Sequence, residues 1–374
     1  MNKRYGANYE RRLFESLVNH REPLESGRHV SRIVAYILAG AVHSTTLVFG
    51  ALGIFFIVHF WPNFIFLFFG ILSLAIAWVT FPRMEKKPNN VLDREKYKTL
   101  YGIVERIAAE LGLKSVDGIV VNHEFNASFY RVGWIGKNYF DVGLPLFSIL
   151  DVSEKVAILG HEVAHGVNKD SQRSVFVGTA LMSLERWYEL LMPESLFSSE
   201  SGLSGVFMLP INLLMMGIAK IVQSLYTLLI MILFRDKQRA EYLADLLSTR
   251  VSGSSAMIAA LEKLYAGNVF ELAMQRVTLD KKKDFVEELR KLVHEMPSRE
   301  VERLRRVARL EGNRIDATHP PTPLRIAFIE YHPAAPAVRI DRTEEEALEA
   351  EFNSLVPKIQ TKLIDEYREY LYEL

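Results

Sequence analysis

Between Ile33 and Pro82 the chain carries no Asp, Glu, Lys or Arg, and His43, His59 and Tyr36 are the only titratable side chains there. As a helix this stretch would run roughly 75 Å at about 1.5 Å per residue. One bilayer crossing takes about 20 apolar residues, so the length suits two crossings joined near Trp61-Pro62-Asn63. Lys3, Arg4, Arg11, Arg12, Arg21, Arg28 and Arg32 precede the run, and Arg83, Lys86 and Lys87 follow it. No basic residue lies in the turn, so the positive-inside rule puts both ends of this hairpin in the cytoplasm. Phe60, Trp61 and Phe64 suit the opposite interface. His59 reads as interfacial and His43 as a helix-packing donor.

The rest of the composition narrows the chemistry. Lys and Arg total 45, as do Asp and Glu, so the basic excess of a nucleic-acid binder is missing. There is no Cys, so any metal must be held by His and carboxylate groups.

From Lys86 the pattern becomes that of a soluble domain. Tyr97 to Leu113 predicts an amphipathic helix ended by Gly112. Gly118–Val121 and Tyr139–Val142 predict short strands flanking a looser segment, Asn126–Tyr130. Asp151-Val-Ser-Glu154 has the spacing of a capping box and opens a helix. A second apolar run extends from Leu203 to Phe234, broken by Pro210 and Lys220. Helix resumes from Arg235 to about Glu295, and a charged helical tail follows Arg342.

Inside the capped helix lies His161-Glu-Val-Ala-His165. Residues four apart share a helix face, so both imidazoles can address one ion. Glu162 projects to the flank of the pair, where it can take a proton from the attacking water without being a ligand. A catalytic zinc needs three protein ligands and an open position. Glu241 in Arg239-Ala-Glu-Tyr-Leu-Ala-Asp245 offers the third, an oxygen. Asp245, one turn on, can accept a hydrogen bond from the distal nitrogen of a ligating His and fix its tautomer. His319 has two readings: a hydrogen-bond donor to the oxyanion, or a structural cap on a helix starting near Pro323. Arg325 reads as an ion-pair partner.

Four motifs occur in order: Asn126-Ala-Ser128, His161-Glu-Val-Ala-His165, Glu241-Tyr-Leu-Ala-Asp245, and Thr318-His-Pro-Pro321 followed by Arg325-Ile326. Together with the N-terminal hairpin they resemble the HtpX-type membrane metallopeptidases, relatives of the CAAX prenyl proteases and the Oma-type protease. The resemblance covers roughly residues 30 to 330. It implies a zinc endopeptidase acting on membrane or misfolded proteins from the cytoplasmic side, with one Zn2+ per chain. It also implies that Asn126, Ala127 and Ser128 belong to an edge strand that pairs with extended substrate.

The expected fold is mainly α with a small β-sheet: a zincin-like metallopeptidase domain attached to an N-terminal transmembrane helical hairpin. Along the chain these would be a cytoplasmic segment 1–32, the hairpin 33–82, a first catalytic stretch 83–202, and an apolar membrane-associated segment 203–234. A second catalytic stretch, 235–341, and a helical tail, 342–374, would follow. The expected partners are protein or peptide substrates and the lipid bilayer, with no nucleic acid. The expected location is that of an integral membrane protein, in the inner membrane if the cell is bacterial, with the active site on the cytoplasmic face. Two other functions fit the same motifs, a CAAX-type prenyl-protein protease and a catalytically silent zinc-containing scaffold. The ligands also constrain topology. His161, His165 and Glu241 can meet only if the chain between them crosses a bilayer an even number of times. The run from Leu203 to Phe234 therefore either forms two short, tightly turned segments, packs on the membrane surface without spanning, or pairs with Ser174 to Met192. Glu185, Arg186 and Glu189 make that last stretch a poor spanning helix, and a membrane-associated hairpin is the expectation.

Overall fold

Two predicted strands and the segment between them become three strands in the computed structural model. The structure describes residues 13–18, 30–82, 86–133, 136–168, 170–192, 203–279, 284–311 and 319–373. Most of the basic N-terminal segment, Arg83 and Thr318 lie outside the described residues. In the sheet, β1 (Gly118–Asn122) runs parallel to β3 (Lys137–Gly143), and β2 (Ala127–Val132) runs antiparallel to it. The order is β1-β3-β2, with β2 at the edge. The segment expected to be loose is thus a strand from Ala127 onward, with Asn126 just outside it. Aromatic cross-strand pairs hold it in register: Phe129 meets Phe140 edge-on at 5.1 Å and Tyr130 stacks on Tyr139 at 6.0 Å.

The helices follow in chain order. Residues 13–18 form α1. The next are α2 (Val30–His59), α3 (Phe64–Thr80), α4 (Lys98–Leu111), α5 (Leu144–Ile149), α6 (Val152–Val167), α7 (Asp170–Leu191) and α8 (Leu203–Ser252). Beyond them lie α9 (Ser254–Lys263), α10 (Gly267–Leu279), α11 (Phe285–His294), α12 (Ser298–Glu311), α13 (Thr322–Tyr331) and α14 (Arg342–Glu373).

The chain divides into two units. The first takes Met1–Leu24, Lys86–Ser171 and Lys237–Leu374. Its core joins Val104 and Ile107 of α4, Phe140 and Val142 of β3, Val156 and Leu159 of α6, and Met257 of α9 with Phe352 of α14. Helix α14 belongs to this core. Glu351 accepts hydrogen bonds from the N–H groups of Thr99 and Leu100 at 2.8 and 2.9 Å, and so caps α4. Glu349 pairs with the ammonium of Lys155, which is 2% exposed. In the same unit, Leu13 and Leu17 of α1 pack with Tyr242 and Phe328.

The second unit takes Glu25–Glu85 and Gln172–Asp236. Helices α2 and α3 form a hairpin, with Asn63 accepting from Ile65 N–H at 3.0 Å to start α3. Thr46 Oγ1 reaches Thr80 Oγ1 at 2.9 Å. Ala35, Ala39 and Val42 of α2 pack with Val177, Ala180 and Leu184 of α7 and with Val222 and Leu229 of α8. Many large apolar side chains face outward, among them Ile37, Leu47, Val58, Phe64, Trp78 and Ile221. The helices holding Ile33–His59 and Pro210–Ser252 are long and apolar enough to cross a bilayer, and Phe64–Thr80 is a shorter apolar helix.

The run from Leu203 to Phe234 is not a hairpin. It belongs to one helix, α8, with Pro210 inside it. A proline near a helix start removes one backbone hydrogen bond and need not reverse the chain. The run packs in one cluster with α2 and α7, and α7 lies in the stretch 83–202 that the sequence assigns to the catalytic domain.

Candidate metal centre

Helix α6 starts as its sequence dictates. Asp151 Oδ1 accepts from Glu154 N–H at 3.1 Å, and Glu154 Oε2 accepts from Asp151 N–H at 2.8 Å. Its apolar face is buried, and Gly160 decides what crosses it. A Cβ on Gly160 would come within 3.1 Å of Val251 Cγ2 and 3.4 Å of Ser248 Oγ. With only a hydrogen there, the end of α8 comes close, and Ser248 Oγ donates to Ala157 C=O at 2.6 Å. This crossing brings the Glu241–Asp245 turn against His161 and His165. On the same helix Gly166 faces the ring of Phe129.

His161 Nε2 lies 3.2 Å from His165 Nε2 and 3.4 Å from Glu241 Oε2, and His165 Nε2 lies 3.6 Å from Glu241 Oε1. Nitrogen and oxygen ligands about 2.0–2.1 Å from a tetrahedral zinc stand about 3.3 Å from one another. The donor set and its spacing therefore fit such an ion. His319 adds a fourth donor, since His161, Glu241 and His319 also place ligand atoms within 4.8 Å of one another. Its Nδ1 is 2.5 Å from Glu241 Oε2. No side chain caps α13, so the capping reading of His319 does not hold.

Behind the candidate ligands lies a buried chain of charged groups, His161, Asp245 and Arg325. His161 Nδ1 donates to Asp245 Oδ1 at 3.0 Å, which leaves Nε2 as the lone-pair side of the ring. Arg325 grips Asp245 with two bonds, Nε to Oδ2 at 2.8 Å and Nη2 to Oδ1 at 2.5 Å. Asp245 is 0% and Arg325 4% exposed. Burial alone would push the Asp245 carboxyl up, but the Arg325 guanidinium outweighs it and holds the group below its ordinary range. Glu241 is likewise opposed by burial yet held well below the carboxylate range by His161 and His319. In the metal-free chain, hydrogen bonds to Asp245 and Glu241 overcome the burial of His161 and raise it to about 9. A dication would take the place of that proton.

Glu162 stands beside the cluster, and its Oε2 accepts from Phe129 N–H at 3.0 Å. This amide of β2 therefore points away from β3. The three residues singled out from sequence, Asn126 before β2 and Ala127 and Ser128 within it, differ in what they leave free. Asn126 C=O already accepts from Gly143 N–H at 2.8 Å, while Ala127 and Ser128 pair with Val142 and Asp141. Sequence reasoning reads Arg325 as an ion-pair partner, which it is, without naming Asp245 as the group it pairs with. It misses the Phe129 amide, which carries no side-chain signal. A fully buried Asp245 demands a cation, and that demand is the available clue.

Residues 95–332 match the profile of peptidase family M48, well over half of the chain. The chain belongs to peptidase family M48. Among relatives of this M48 chain, Protease HtpX homolog 1 of Saccharolobus solfataricus is 30% identical over 201 residues, 52% of this chain and 60% of that protein. Protease HtpX homolog of Pyrobaculum aerophilum is 26% identical over 238 residues, 62% of this chain and 67% of that protein. Protease HtpX of Hahella chejuensis is 30% identical over 175 residues, 45% of this chain and 56% of that protein. The match thus spans between about half and two thirds of these relatives. No solved structure matches the M48 chain.

Proposed function

We propose that this chain is a membrane-bound, zinc-dependent endopeptidase that hydrolyses peptide bonds of misfolded or membrane proteins. The observation that carries the reading is the convergence of His161, His165 and Glu241 at tetrahedral spacing, with Glu162 alongside. His161, His165 and Glu241 would hold the ion, with the Asp245–Arg325 pair fixing the His161 tautomer. When bound, zinc supplies a Lewis acid that polarises the scissile carbonyl and acidifies the attacking water.

The chain's own residues do the rest. Substrate lies extended along the outer edge of β2, bound mainly through its backbone, so little side-chain sequence is read. Glu162, steadied by the Phe129 amide, takes the proton of the attacking water and returns it to the leaving amine. His319 donates to the oxyanion that develops on the carbonyl. Its 44% side-chain exposure suits a group at the mouth of the site.

A membrane home is supported by the outward apolar side chains, which hydrocarbon solvates at no cost. Basic flanks support a cytoplasmic location for the ends of the α2–α3 hairpin, and we assign the site to that face. A shared ion requires the crossing by α8 to be matched by a second, and we assign that return to α7, which packs in one cluster with the apolar run of α8.

The test uses detergent-purified protein with casein and with a farnesylated peptide, each with and without a chelator. Casein cleavage that the chelator stops, and that Glu162→Gln lowers by about 10²–10⁴-fold with zinc content unchanged, is the expected result. Undiminished cleavage by Glu162→Gln sinks the mechanism, and cleavage confined to the farnesylated peptide transfers the chain to prenyl-protein processing.

A further inference from the structure

The apolar run of α8 has one face that does not suit lipid. Between Leu203 and Phe234 its one charged residue is Lys220. Each helical residue advances the direction by about 100°, so residues three, four and seven apart share a face. Ala219, Val222 and Leu229 are buried and define the inner face. The exposed surface splits in two. One arc carries Leu214, Ile218, Ile221 and Leu228. The other, roughly 100° wide, carries Lys220, Gln223, Ser224 and Thr227, all exposed, between exposed Leu213 and Met216 before them and exposed Met231 after them on the same face. Gly217 heads this polar stripe, and a Cβ added there would meet nothing within 4 Å, which leaves room for a neighbouring backbone.

The stripe satisfies itself only incompletely. Ser224 Oγ and Thr227 Oγ1 donate to the carbonyls of Lys220 and Gln223, each at 2.8 Å. Lys220 Nζ donates to Gln223 Oε1 at 3.0 Å, a neutral acceptor. An ammonium has three donors and a full charge, and among the described residues Lys220 has no ion-pair partner. Charge facing hydrocarbon is strongly disfavoured. A lone lysine could run its stem to a bilayer surface, but Gln223 and Thr227, on the same line, are too short for that.

We infer that this stripe is a docking seam for a membrane-spanning helix of another protein, one carrying an Asp or Glu within its apolar span. The inference rests on the membrane reading above and narrows the substrate class to spans with a buried acid. Charge complementarity selects this occupant. A second copy of the chain brought up in parallel would set Lys220 against Lys220. Polar contacts between helices in lipid favour association about 3- to 30-fold each, and small residues let the backbones approach.

The experiment places the full chain, as Glu162→Gln, in vesicles of phosphatidylcholine and phosphatidylglycerol. Two labelled synthetic Leu-Ala spans are titrated by energy transfer, identical except for one central Asp or Leu. The Asp span should bind about 3- to 30-fold tighter. The variant Lys220→Leu/Gln223→Leu/Thr227→Leu should erase that difference, while in the Glu162 background its casein cleavage stays unchanged. Equal binding of the two spans overturns the seam, as does stripe-dependent transfer between two labelled copies of the protein. Carbonate extraction of the same vesicles is run first. Release of the chain there overturns the membrane reading, and the seam with it.

Discussion

Replacing Arg325 with Met tests whether the site depends on a buried ion pair it does not use chemically. The guanidinium makes two bonds to Asp245, at 2.8 and 2.5 Å, and both side chains are at most 4% exposed. Removing one partner of such a pair leaves an uncompensated buried charge and costs about 3–5 kcal/mol. At about 2–4 °C per kcal/mol, Tm should fall by roughly 6–20 °C. The loss should depend on metal. Without it, His161 is held protonated up to about 9 and remains a cationic partner for Asp245. With zinc loaded the ligand must be neutral, so the full cost appears. The assay is thermal unfolding of zinc-loaded and chelated protein, as Arg325→Met and as Arg325→Met/Asp245→Asn. The double variant should recover some of the loss, since Asn carries no charge. Equal destabilisation by Arg325→Met in the Asp245 and Asn backgrounds would refute the reasoning.

Three further outcomes are expected. Gly143→Ala drives a Cβ into the carbonyl oxygens of Glu124 and Asn126, so the loop entering β2 must shift. Tm should drop by the equivalent of about 1–3 kcal/mol or more, with lost peptide cleavage, and unchanged scanning-fluorimetry traces would contradict the packing described. Glu351→Ala strips the cap from the Thr99 and Leu100 amides and should cost about 0.5–2 kcal/mol in chemical denaturation, whereas Glu351→Gln should retain some of it. The third outcome concerns pH. His161 in chelated protein has a folded pKa raised above its ordinary value, so its contribution is complete below about 6.5 and is lost as pH climbs through about 9. Asp245 and Glu241 are lowered, so theirs is lost only as pH falls below the ordinary carboxylate range. The Tm of chelated protein should therefore decline from pH 6.5 to 9 and that of zinc-loaded protein should not. A flat chelated profile would count against the Asp245–His161–Glu241 contacts.

The elements of the fold legible in the sequence are those that local periodicity encodes. The i,i+4 spacings of His161 and His165 and of Glu241 and Asp245 name shared helix faces, and Asp151 with Glu154 names a helix start that the structure reproduces. Long-range partners leave no such trace. Asp245 meets Arg325 across 80 residues, and no spacing rule reaches that far. The Asn126–Tyr130 stretch reads as loose because its strand is made by pairing with Phe140 and Tyr139. The apolar run in α8 is expected to fold back because the ligands demand an even number of crossings. That demand fixes only that the number of crossings is even. Glu185, Arg186 and Glu189 make Ser174 to Met192 read as a poor companion, and it is the cluster of Val177, Ala180 and Leu184 with Val222 and Leu229 that brings this helix, α7, to the run.

Helix α14 sets an order of events. A ribosome that has delivered residue 341 has already written every residue of the metal centre. Yet Lys155, six positions before His161, still lacks the carboxylate of Glu349, and the first amides of α4 lack Glu351. Helix α14, made after every residue of the candidate metal centre, supplies the carboxylates beneath α6 and α4, so a chain that stops at residue 341 would carry the candidate ligands without that support.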